Sequence, residues 1–95
     1  MSAPLTAGEL REYRIMRCRY LRYGRRGLRG VEDAYNSLNR RVRNAIARLP
    51  DGEREIAWMY YVDGLSCLAI SLRVYYSERH IRRFRNCARD DIVTT

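Results

Sequence analysis

Residues 77–86, "SERHIRRFRN", gather Glu78, Arg79, His80, Arg82, Arg83, Arg85 and Asn86 behind a single serine. Guanidinium forks pair with guanine edges and phosphates, and a carboxamide pairs with adenine, so this mixture suits duplex DNA. Ser77 directly before Glu78 has the form of a helix N-cap. A helix starting there turns Ile81, Phe84 and Ala88 inward, with Ile92 or Cys87 extending that face. Its outer face is then Glu78, Arg79, Arg82, Arg83, Arg85, Asn86 and Arg89. Glu78, Arg79, Arg82, Arg83 and Asn86 are the candidate base-reading groups. Ser66, Ser77, His80, Arg85 and Arg89 are the candidate phosphate contacts. An amphipathic helix with a solvated basic face is the plainer alternative, and the preceding elements decide between the two.

The whole chain supports a polyanionic partner. Its 95 residues carry 19 basic side chains against 11 acidic ones, a net charge of +8, and every basic residue is arginine. Residues 1–30 supply +6 of that total, and residues 73–89 hold six arginines against Glu78. The charge is therefore expected in two patches, one at each end of the fold. Arg11, Arg14, Arg22, Arg25 and Arg26 represent the first.

Three cysteines far apart in sequence, Cys18, Cys67 and Cys87, form no C-x-x-C pair, which argues against a zinc site or a disulfide framework. Cys67 and Cys87 are read as small buried apolar residues. No basic segment leads into an apolar signal-like stretch, and no uncharged run is long enough to span a bilayer, so a cytoplasmic protein without a membrane partner is expected. One histidine and no clustered carboxylates leave nothing that meets the geometric needs of catalysis. Neither an enzyme nor a cofactor is expected.

The elements that must position the arginines follow in order. Thr6 with Glu9 three residues on has capping-box spacing, and Leu10, Tyr13, Met16, Tyr20 and Tyr23 form one face of a first helix. Arg11, Arg14, Arg17, Arg19 and Arg22 surround that face. The glycine-rich "GRRGLRG" then reads as a loop. These 30 residues, a basic helix and a Gly/Arg loop, form one expected unit; residues 31–95 form a helical domain. Across the boundary, Leu28, Val31, Tyr35, Leu38, Val42, Ala45 and Leu49 alternate steps of three and four, predicting a helix over about 31–49 that Pro50 ends. That seam either packs within the chain, the favoured reading, or pairs as a coiled-coil dimer, so monomer and homodimer both stay open.

Beyond Pro50 three helices are expected, with the DNA-reading motif at about 51–92. The first buries Ile56, Met59, Tyr60 and Trp58 and stops at Gly64. The second starts at a Ser66 cap and turns Leu68, Ile70 and Val74 or their neighbours inward. After a tight turn the third starts at Ser77. The expected fold is all-α, N-terminal helices followed by a three-helix unit in which a short helix and a turn present a basic helix, the geometry of a helix-turn-helix.

Residues 49–88, "LPDGEREIAWMYYVDGLSCLAISLRVYYSERHIRRFRNCA", resemble region 4 of bacterial sigma factors. The matching positions are Leu49-Pro50, Arg54-Glu55, Gly64-Leu65-Ser66, Ile70, Ser77 and Ile81. The chain is similar in particular to phage transcriptional regulators of the RinA and ArpU type, through its "YVDGLS" and "YSERHIRR" segments. Two positions depart: Ala69 stands where the family has an acid, and Tyr75 where its turn has glycine. The resemblance implies a sigma region 4-like, sequence-specific regulator of transcription, phage or prophage encoded, acting on double-stranded DNA at a late-gene promoter in the bacterial nucleoid. RNA polymerase is a second candidate partner. Rival readings are a small terminase-like DNA-packaging subunit and an interaction protein that binds polymerase without DNA.

Overall fold

The structure, a computed structural model, describes residues 4–94. It is all-α, with no strand among the described residues. Helix α1 spans Ala7–Tyr23. The Thr6 hydroxyl accepts from the Glu9 N–H while the Glu9 carboxylate accepts from the Thr6 N–H, both at 3.0 Å, the reciprocal cap expected from the spacing. That backbone bond, and then Arg41 at 3.0 Å, hold Glu9 below the usual carboxylate range and tie the start of α1 to the next helix.

The Gly/Arg segment is ordered as a single 3₁₀ turn, Gly24–Leu28, and is not an irregular loop. Gly27 explains why it can fold back: a Cβ there would lie 2.4 Å from the Arg19 carbonyl oxygen. The turn delivers Leu28 into the core.

Helix α2, Glu32–Ala47, begins with Glu32 and Asp33, which complement the dipole at its N-terminus. The predicted seam is buried within the chain: Tyr35, Leu38, Val42 and Leu49 are buried and Val31 and Ala45 pack against them. Ile46, outside the predicted seam, is fully enclosed as well. Tyr35 stacks between Tyr13 and Tyr20 of α1 at 6.0 and 5.7 Å, and the Tyr13 hydroxyl donates to Asn39 at 2.7 Å. Burial of these phenols against one another is also what raises the Tyr13 hydroxyl above its ordinary pKa.

Helix α3, Asp51–Ala57, runs into a π-helical turn, Trp58–Val62. Periodicity gave no sign of this widened turn. It stops at Gly64, whose φ of 72° suits glycine, and the Leu65 N–H reaches back to the Met59 carbonyl at 3.0 Å. A side chain on Gly64 would also press on Cys18 and Leu21 of α1 at 3.2 and 3.3 Å. Helix α4 is short, Cys67–Ser71, and α5 spans Glu78–Thr94.

Two apolar clusters hold these pieces, and α5 belongs to both. Ile56, Cys67, Ile70 and Ile81 form the smaller one, with Phe84 and Val74 packed against it. Ala88 and Ile92 join the larger cluster built on α1 and α2. One rigid rod is thus seated at two points, which fixes its direction.

Several side chains differ from the expected burial. Cys87 is exposed, because it falls about 120° from Ile81 around α5. Leu68 is exposed, whereas Cys67 and Ile70 face inward as expected. Tyr23 lies at the exposed end of α1. Trp58 is more than a third exposed, with the Arg43 guanidinium 5.0 Å above its ring.

Candidate nucleic-acid interface

Local hydrogen bonds set where α5 begins. The Ser77 hydroxyl accepts from the His80 N–H at 3.3 Å, and the Ile81 N–H bonds the Ser77 carbonyl at 3.0 Å. Ser66 does the same for α4, accepting from the Ala69 N–H at 3.1 Å. Helical winding continues past α4, with Leu72 bonded to Leu68 and Val74 to Ile70, both at 3.2 Å. The connector proper is therefore only Tyr75, Tyr76 and Ser77.

Tyr75 makes this turn without a left-handed backbone, since among the described residues only glycines have positive φ. Its side chain is fully exposed. Tyr76 stacks on His80 at 5.3 Å and meets the Phe84 ring edge-on at 5.4 Å, so His80 is exposed but braced.

Around α5 the arginines separate by angle. Taking Ile81 as the buried centre at 3.6 residues per turn, Arg79 and Arg83 lie about 160° away and Arg82 about 100° away. All three are exposed. Arg82 is paired with Glu78 one turn earlier at 2.8 Å, an exposed contact that holds the guanidinium in place at a gain of only about 0.3–0.5 kcal/mol. Glu78 thus orients the exposed Arg82 side chain.

Arg85 does not lie on the expected outer face. It sits only about 40° from Ile81, so it turns inward and is half-buried. Its guanidinium lies 5.2 Å from the Tyr60 ring and bonds the Asn86 carboxamide oxygen at 3.2 and 3.3 Å. Asn86 is half-buried, and its carboxamide oxygen is the atom that Arg85 engages. Arg89 is exposed, in a loose 3.6 Å pair with Asp90.

The first basic patch does not stand at the opposite end of the fold as a unit. Arg11 and Arg14 line a groove of about 300 Å³ together with Ile15, Tyr60, Tyr61, Arg85 and Arg89, so one end of the α1 patch merges with α5. Within it Arg14 is already engaged, bonding the Tyr60 and Leu65 carbonyls at 3.1 and 3.3 Å and lying 4.1 Å over the Tyr60 ring. Arg17 bonds the Val62 carbonyl at 2.7 Å and the Tyr35 hydroxyl at 2.8 Å. The π-turn aims the Tyr60 and Val62 carbonyls at α1, and the two arginines cap them. The signal for Arg17 was present in the sequence: it lies about 40° from Tyr13 on the helix, on the buried side.

Arg22, Arg25 and Arg26 remain exposed at the far end of α1 and its 3₁₀ turn. Arg25 borders a separate cleft of about 560 Å³ beside Tyr20, Tyr35 and Asn39. Among the described residues no cluster of His, Cys, Asp or Glu is placed to hold a metal ion, and no helix is long and apolar enough to cross a membrane. No family model, curated protein or solved structure matches the chain.

Proposed function

We propose that this protein binds double-stranded DNA and reads sequence in the major groove with the first turns of α5, as a regulator of transcription. The observation that carries this reading is the exposure of Arg79, Arg82 and Arg83 on the opening turns of a helix whose start is fixed by Ser77 and whose back is seated on Ile81. The major groove admits one helix, and a helix reads best when its N-terminal side chains meet base edges. Ser66 and Ser77 would lie near phosphate, and the half-engaged Asn86 would donate to an acceptor. The likeness to region 4 and to RinA- and ArpU-type regulators supports a phage or prophage late-gene role in the bacterial cytoplasm.

Selecting bound sequences from a random duplex pool tests the reading. Enrichment of a short site, a single half-site for a monomer or a palindrome for a homodimer, is the expected result. A pool that stays random after several rounds would reject sequence reading.

One observation favours a protein partner in addition to DNA, for which the resemblance suggests RNA polymerase. Leu68, Leu72 and Tyr75 are 55%, 80% and fully exposed along α4 and the connector, an apolar surface that DNA phosphates would not cover. Co-purification of polymerase with the wild type, lost in Leu72→Glu, would support that contact.

A further inference from the structure

The groove between α1 and α5 concentrates positive charge in a way that calls for an anion. Arg11, Arg14, Arg85 and Arg89 line it, and among the described residues no carboxylate does. Like charges brought together repel, and flexible arginines left alone would fan apart into water. Two of these cannot. Arg14 and Arg85 are both drawn to the Tyr60 ring, at 4.1 and 5.2 Å, and Arg14 is further fixed by two backbone carbonyls. The fold thus holds a cationic wall in place, while Arg11 and Arg89 stay exposed at the rim, Arg89 with Asp90 as a neighbour at 3.6 Å on its own helix.

The geometry along α5 identifies the anion. Arg89 follows Arg82 by seven residues, two helical turns on the same stripe and about 10 Å further along the axis. The major groove of DNA is about 12 Å wide. With Arg82 at base edges, Arg89 and the groove behind it therefore meet the sugar-phosphate backbone at the rim of the same major groove. The groove is an open trough, the form that suits a chain of phosphates passing through it. We infer that this trough holds the phosphodiester backbone of the duplex that α5 reads, which makes α1 part of the DNA-binding surface and gives Arg11 and Arg89 the role of phosphate contacts. The inference rests on the DNA-reading function proposed above.

Arg11→Ala and Arg89→Ala test it, since both side chains are exposed and their loss should leave the melting temperature unchanged. Affinity is measured over a series of salt concentrations for a selected duplex and for a scrambled duplex of the same length. Each variant should weaken both duplexes to the same extent and lower the slope of log K against log salt by about 1, with a reduction of about 2 in the double variant. Wild-type slopes with unchanged variants would overturn the trough while leaving base reading by α5 intact. A variant that alters only the preferred sequence would overturn it as well, by making that arginine a base contact. If the wild type binds neither duplex, the DNA function and the trough fall together.

Discussion

Helices α1 and α5 are both 17 residues long and each carries five arginines, yet those arginines serve different ends. On α1, Arg14 and Arg17 are half-buried and held by backbone carbonyls at the end of the π-turn. On α5, Arg79, Arg82, Arg83 and Arg89 are exposed, and Arg85 turns in. The count of arginines is equal; the angle to the buried face and the presence of an open carbonyl or aromatic ring decide their use. A basic helix is therefore a candidate for nucleic acid only after its arginines have been sorted by where the fold engages them.

The largest effect that would break this contrast lies under α5. Ile81 is fully buried at the centre of the smaller cluster, so Ile81→Ala should cost about 3–4 kcal/mol in urea unfolding. Phe84→Ala should cost less, because Phe84 is only half-buried. An equal loss for both would mean that the smaller cluster is centred elsewhere.

Next comes the contrast between arginines. Arg17→Ala removes two charge-assisted hydrogen bonds from a half-buried site and should destabilise by about 2–3 kcal/mol. Arg79→Ala should change stability by less than about 0.5 kcal/mol, as surface substitutions do. Equal stability losses in the two variants would erase the distinction between the helices.

A smaller effect sharpens how the far end of α5 is held. Glu53 of α3 faces Asp91 of α5, and a hydrogen bond between the two carboxyls, with burial added, raises Glu53 above the usual carboxylate range. Glu53 Oε1 is buried with no donor facing it, and a proton shared with Asp91 supplies one. Because the folded pKa is raised, this contribution is fully present below the unfolded pKa, about 4.3, and is lost as pH rises through the folded value. The urea midpoint of the wild type should therefore fall over that interval, and Glu53→Gln should flatten the dependence. An identical pH profile in the variant would remove the shared proton.

Much of this arrangement was legible in the residues. The capping box at Thr6 and Glu9, the seam from Leu28 to Leu49, the stops at Pro50 and Gly64 and the caps at Ser66 and Ser77 are local signals, written in side-chain type and spacing. The exposure of Arg79, Arg82 and Arg83 followed from the same periodicity. What stayed hidden depends on distant contacts. The π-turn exists where α1 arginines meet its carbonyls, and the meeting of Arg11 and Arg14 with Arg85 and Arg89 needs the packing of helices more than 60 residues apart in sequence. Arg85 and Cys87 were misplaced for a simpler reason: the polar and apolar labels of the residues outweighed their angle on the helix.

The central claim is that the first turns of α5 read bases, and Arg82→Ala tests it most directly. Binding of wild type and variant is compared on the selected duplex and on duplexes changed one base pair at a time. The account predicts a loss of about 1–3 kcal/mol on the selected site and a relaxed preference at one or two positions, with the remaining positions read as before. A loss that is the same for every duplex, selected or scrambled, would contradict it and leave α5 as a basic face without sequence reading.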